Sequence, residues 1–197
     1  MDLLQPSPHT WEERYPALFD ALAERLAHFP QPRLLSFGCS TGEEVRALRR
    51  RLPDALIDAV EVNPRSIARA RAAGSDPKTR YIVADRPDPA ARYDAVLALA
   101  VFRHRELEGY APSSCAGILP FASAAQAAAR LDAVLVPGGW LAFANANFCL
   151  LDLLPDAGYA PEPERFGVPE AVTLYGPDDM RLSGEVYTPV LFRKPAS

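Results

Sequence analysis

A chain of 197 residues fits one domain of ordinary size and buries roughly 70% of its unfolded surface. With 49% hydrophobic and 23% charged residues the composition is that of a globular protein, and a net charge of −4 leaves no electrostatic footprint for nucleic acid. Arg46, Arg49, Arg50 and Arg51 cluster locally, but beside acidic residues they read as a solvated helix face. Cys39, Cys115 and Cys149 are odd in number and far apart, which excludes a disulfide framework and gives no metal-ligand spacing. The N-terminus lacks a charged-then-apolar secretion signal, and no apolar run approaches the roughly 18 residues of a membrane span. A reducing cytoplasm, without membrane attachment or bound metal, is the expected setting.

Residues 1–9 carry two prolines and read as a loose leader. Thr10 and Glu13 have capping-box spacing, and Trp11, Tyr15, Leu18, Leu22 and Leu26 follow at helical intervals before Pro30. Strand and helix patterns then alternate. Residues 33–37 read as a strand and 42–51 as a helix; 55–61 as a second strand, and 64–73 as a helix with proline at a permitted early position. Residues 81–84 form a third strand and 93–100 a fourth, nearly all apolar, as a strand covered on both faces is. An alanine-rich helix over 123–135 is closed by Val136-Pro137-Gly138-Gly139, and 140–144 is a fifth strand. Residues 155–169, rich in proline and acid, read as a surface loop. Residues 171–175 and 185–192 read as an antiparallel strand pair around Gly176-Pro177-Asp178-Asp179. The alternation predicts a doubly wound, mostly parallel α/β sheet in a single domain, 1–197. Residues 1–30 are its leader and first helix, 33–146 its ligand-binding core, and 147–197 its closing segment.

In such a sheet the ligand lies beyond the carboxyl ends of the central strands. Leu34-Leu35-Ser36-Phe37-Gly38-Cys39-Ser40-Thr41-Gly42-Glu43-Glu44 supplies a strand, a glycine turn and a helix start, with free backbone N–H groups for a small polar ligand. Thr41 with Glu44, or Ser40 with Glu43, has capping-box spacing. Glu61 ends the second strand 19 residues after Gly42, where a carboxylate accepts hydrogen bonds from both hydroxyls of a ribose. The dinucleotide fingerprint G-x-G-x-x-G is broken by Ser40 and Glu43, and the trailing glutamates repel a pyrophosphate but suit an ammonium.

Taken together, the glycine turn, Glu61, Asp85 and Leu135-Val136-Pro137-Gly138-Gly139 resemble, in order and spacing, the class I S-adenosylmethionine-dependent methyltransferases over about residues 33–146. The resemblance implies their Rossmann-like seven-stranded fold and S-adenosyl-L-methionine as cofactor. It places Phe37, Gly38, Cys39, Ser40, Thr41, Gly42 and Glu43 around the methionine part, Glu61 and Val62 at the ribose, Asp85 and Arg86 at the adenine, and Ala100 at the end of the fourth strand. The turn itself looks like that of chemotaxis receptor-glutamate methyltransferases, with Ser36 where most relatives carry an acid. In that subgroup a glutamate of the turn faces the ligand's amino group, so Glu43 or Glu44 substitutes for the missing acid. Beyond the turn this likeness stops.

Methyl transfer from a sulfonium needs chiefly an in-line nucleophile and exclusion of water, and a base only where the acceptor arrives protonated. His104, after the fourth strand, is the candidate base, while Arg103 and Arg105 are placed to grip a carboxylate. Tyr110 and Asn145 are candidate acceptor contacts, with Asn147 and Tyr159 further ones; Cys115 has no partnered histidine and reads as inert. A small molecule or a peptide side chain, methylated on oxygen, is the expected acceptor. Nucleic acid is not, since the Asn/Asp-Pro-Pro-Tyr/Phe motif is absent. A homodimer is compatible with the sequence. The other reading is an inactive binder of S-adenosylmethionine or another nucleoside, acting through protein contacts.

Overall fold

A computed structural model describes residues 11–74, 76–164, 166, 172–183 and 189–196. Successive strand side chains point to opposite faces, so one apolar strand feeds two cores at once. In β1 (Arg33–Phe37) Leu34 joins the core built with α1 (Pro16–Leu26), α2 (Glu43–Arg51) and α3 (Pro64–Ala73). Leu35, one residue on, joins the opposite core under α5 (Phe121–Val134), with α4 (Arg105–Gly109) and α6 (Leu150–Leu153) on the same side. The remaining strands are β2 (Leu56–Glu61), β3 (Thr79–Val83), β4 (Tyr93–Leu99), β5 (Leu135–Ala144), β6 (Ala160–Pro161) and β7 (Leu191–Arg193). Their order is β3-β2-β1-β4-β5-β7-β6, parallel from β3 to β5 and antiparallel at β7 and β6. The doubly wound, mostly parallel seven-stranded architecture expected from the sequence is present, with its switch point between β1 and β4.

Local boundaries differ where proline or pairing overrides periodicity. The expected cap Thr10 lies outside the described residues; the helix starts only at Pro16, whose missing N–H suits the first helical position, with Tyr15 as N-cap. Residues 136–139 do not turn: β5 begins at Leu135, opposite Tyr93, and absorbs them in a register shift before Trp140 meets Ala95. An antiparallel closing pair is present as expected, but of 185–192 only residues 191 and 192 lie in it, as part of β7, and the described residues 172–175 are not their partner. Ala171 and residues 184–188 lie outside the described residues, and 174–182 forms a separate tight turn in which Leu182 donates to Leu174 and Tyr175 bridges Arg181. The sheet is closed instead by β7 and by β6, which arises inside the stretch expected to be loop. Pro161 fits there because the outermost strand has no further ladder to donate to.

Candidate active site

At the carboxyl edge the chain repeatedly takes left-handed backbone: Gly38 (φ 74°), Ser40 (49°), Gly42 (85°), Ala100 (59°) and Asn145 (55°) follow β1, β4 and β5. Strain of this kind persists only where surrounding bonds hold it, and it gathers at binding sites. After β1, the N–H groups of Gly38 and Cys39 both reach Val60 O, at 2.8 and 3.1 Å. A Cβ on Gly38 would lie 2.5 Å from Val101 Cγ2, and one on Gly42 2.9 Å from the Tyr81 hydroxyl. A Gly38→Ala variant therefore meets both a clash and a disfavoured φ. It is expected to lose about 1–3 kcal/mol, read as a melting temperature lower by roughly 5 °C.

Neither capping register forms. Gly42 itself occupies the N-cap of α2, which leaves Ser40 and Thr41 outside the helix. The Thr41 hydroxyl lies 2.7 Å from both Glu43 carboxylate oxygens, and Glu43 also faces Arg46 at 3.5 Å. Glu44 turns inward, where its carboxylate accepts the Ser36 hydroxyl at 2.6 Å. Burial raises its pKa to about 7, against the lowering effects of the Ser36 hydrogen bond and the Arg14 charge. An acid thus stands at the position where β1 itself carries only a serine. Beside it, burial pushes the Cys39 thiol well above its ordinary range, so Cys39 is no nucleophile.

Glu61 accepts the Ser40 N–H at 3.1 Å on one carboxylate oxygen and the Asn63 N–H at 2.9 Å on the other, tying the end of β2 to the glycine turn. Val62 follows it, half-buried, while Asp85 and Arg86 are exposed beyond β3 and pair with each other at 3.9 Å. Along the edge, from β3 to β5, lie Asp85, Glu61, the 38–42 turn, Ala100 with Arg103, and Asn145.

At the β4–β5 end, Arg103 Nη1 donates to Asn145 Oδ1, and Arg103 Nε lies 3.5 Å from Glu108. Asn145 Nδ2 donates to the Tyr15 hydroxyl at 3.3 Å, so a residue from the start of the chain reaches the end of β5. Sequence reasoning took Tyr15 as a helical core position; the proline after it was the signal that it precedes the helix. His104 caps α4, its Nδ1 accepting the Glu106 N–H at 3.3 Å, which assigns the remaining proton of the neutral ring to Nε2. Asn147 is fully buried and structural: it donates to Glu108 and to Thr173 O and accepts from His104 N, so it locks the loops rather than facing a ligand. Tyr110 is 89% exposed. Tyr159 lies off the edge, with its hydroxyl on Asp132 of α5. Burial, with Asp179 beside it, pushes the Cys115 thiol up to about 12.

Fold order, a glycine turn at the switch point and a carboxylate at the end of β2 thus meet at the carboxyl edge of a doubly wound domain. A family model described as a methyltransferase domain matches residues 35–141, and the chain belongs to that family, in its class I S-adenosylmethionine-dependent form. It is similar to the biotin biosynthesis bifunctional protein BioCD of Bordetella avium, 36% identical over 144 residues, covering 70% of this chain and 27% of that one. It is also similar to the probable biofilm formation methyltransferase WspC of Pseudomonas putida, 43% identical over 77 residues, covering 32% of this chain and 18% of that one. The chain thus spans under a third of either relative's length. Among solved structures, SAM-bound CalS10, an amino pentose methyltransferase from Micromonospora echinaspora, shares the fold at a TM-score of 0.50 and 22% identity, over 78% of this chain and 58% of that one. No described helix is long and apolar enough to cross a membrane.

Proposed function

We propose that the domain transfers the methyl group of S-adenosyl-L-methionine to an oxygen of a small-molecule or peptide acceptor, and that this oxygen belongs to a carboxylate. The observation that carries the acceptor reading is the Tyr15–Asn145–Arg103 hydrogen-bond chain at the ends of β4 and β5, beside a His104 whose Nδ1 lone pair is directed into its own helix. Cofactor and chain fit each other: side-chain-free Gly38 and Gly42 admit the methionine part between Phe37, Cys39, Ser40 and Thr41. Glu44, rather than the Thr41-engaged Glu43, faces the ammonium. Glu61 with Val62 holds the ribose, Asp85 and Arg86 border the adenine, and Ala100 backs the sulfur.

The sulfonium supplies an activated methyl and leaves as a neutral thioether when its C–S bond breaks. The chain then has only to orient and desolvate the acceptor. Arg103, with a planar fork suited to a carboxylate, orients it, and Asn145 holds Arg103. A carboxylate is already ionised at neutral pH, so its lone pair forms the new O–C bond with no proton to remove. A phenol or alcohol would instead require His104 to give up its cap and act as base. The two acceptors leave different products. Incubation with methyl-labelled cofactor and a metabolite pool is expected to give label that mild alkali releases as methanol, as a methyl ester does. Alkali-stable label would overturn the carboxylate, and full cofactor binding without any transfer would favour the inactive binder.

A further inference from the structure

Arg103 leaves the end of β4 into a stretch whose course the chain fixes closely. His104 N donates to Asn147 Oδ1 at 2.8 Å, and the fully buried Leu107 seats α4 in the core beneath β4 and β5. Positions four apart share a helix face, which returns Glu108 to the side of the His104 cap.

One carboxylate there serves three groups. Glu108 Oε1 accepts Asn147 Nδ2 at 2.6 Å and lies 3.5 Å from Arg103 Nε, while Oε2 accepts the Thr173 N–H at 3.5 Å. From the other side, Asn145 Oδ1 accepts Arg103 Nη1. A guanidinium is planar, so anchors on two of its nitrogens, from α4 and from the end of β5, set its plane as well as its place. The Arg103 and Glu108 side chains are each only 20% exposed, so solvent screens the pair less than it screens a surface ion pair. Glu108 also balances the charge of Arg103, and an anion approaching the fork meets attraction and repulsion together.

We propose that Glu108 is a specificity-determining residue of the acceptor pocket. By balancing Arg103 and fixing its plane, it admits a carboxylate that matches the fork and brings further contacts, and it turns away small free carboxylates that offer charge alone. This role rests on the acceptor being a carboxylate. Selectivity is a difference of affinities, and a repulsive group that every anion meets is offset only by an acceptor with more to contribute. Glu108 itself is positioned rather than reactive: it forms no bond in the transfer and takes no proton.

The test follows transfer of labelled methyl to a metabolite pool, with acetate as the competing carboxylate and chloride holding ionic strength constant. Half-inhibition of the wild type is expected only above about 100 mM acetate, since a balanced pair gives an isolated anion little net attraction. In Glu108→Gln, whose remaining oxygen still serves Asn147, acetate gains a net positive site while the acceptor loses alignment. The ratio of half-inhibiting acetate to half-saturating pool is therefore expected to fall about fivefold. Inhibition should compete with the pool and not with the cofactor, and Glu108→Gln combined with Arg103→Met should lose the added sensitivity. Calorimetry with S-adenosylhomocysteine should give wild-type affinity in Glu108→Gln. Half-inhibition of the wild type by acetate near 1 mM would overturn the proposal alone, as would an unchanged ratio in Glu108→Gln. Loss of S-adenosylhomocysteine binding in that variant would make Glu108 a residue of the fold and overturn its part in selection. Alkali-stable label, or none, from the wild type would overturn the carboxylate acceptor and the proposal together.

Discussion

A Glu61→Ala variant is expected to bind S-adenosylhomocysteine about 100-fold more weakly than the wild type, measured by calorimetry. The proposed ribose role gives Glu61 two charge-assisted hydrogen bonds to hydroxyls, each about 1.5–3 kcal/mol, which the variant would lack, and 1.4 kcal/mol corresponds to a factor of ten. The same carboxylate organises the protein side, because it holds the amides of Ser40 and Asn63. A Glu61→Gln variant keeps one acceptor oxygen and is expected near tenfold. Both variants should melt within a few degrees of the wild type, since the freed amides lie at an edge where water replaces the carboxylate. Wild-type affinity in Glu61→Ala would exclude the ribose assignment.

The second large effect is a pH dependence set by Glu44. Burial raises its pKa from the ordinary 4.5 to about 7, so in the ligand-free protein it is largely protonated at pH 6. An ammonium against it favours the carboxylate, so binding releases a proton. Affinity is then expected to rise by up to tenfold per pH unit between about 5.5 and 7 and to level off above. Calorimetry at pH 6 in buffers of different ionisation heat should show close to one proton released per ligand bound. Glu44→Gln should flatten the profile and weaken binding at pH 7.5 about tenfold. The stability sign is opposite to that of a salt-bridged carboxylate. The folded pKa lies above the unfolded one, so Glu44 costs nothing below about pH 4.5, and stability falls as pH rises toward 7. Glu44→Gln is therefore expected to melt higher than the wild type at pH 8. An affinity independent of pH across this window would show that the ammonium lies elsewhere.

Much of this architecture is legible in the sequence because parallel strands covered on both faces are apolar throughout. Leu34, Leu35 and residues 95–99 announce their strands, and Pro64 after Asn63 announces α3, where Asn63 does cap by accepting the Arg65 N–H. The glycine turn and Glu61 are legible for the same reason, since local geometry demands those residue types. What escapes is whatever long-range pairing decides. Two residues of β6 carry no period. The 136–139 stretch has turn residues but is taken up as the register shift inside β5, between the pairings of Leu135 and Trp140 with β4, where Gly138 donates to Pro195 O. Glu44 has the spacing of a cap, yet the left-handed Gly42 starts the helix one position late and leaves the side chain free to turn toward Ser36. His104 and Asn147 have the composition of catalytic groups, but their lone pairs and protons are used within the chain, on α4 and on the 173–175 segment. Tyr15 reaches Asn145 across 130 positions, which no local pattern encodes.

The two-residue outer strand limits how copies of this protein can associate. Ala160–Pro161 offers almost no backbone donors to a neighbouring chain, and Pro161 has no N–H at all. At the opposite border β3 carries the charged Arg80, whose guanidinium is clamped to Asp58 by two 2.6 Å hydrogen bonds and stays at the rim. Among the described residues, the β6 border is therefore a poor template for a further strand, and edge pairing of copies is disfavoured there.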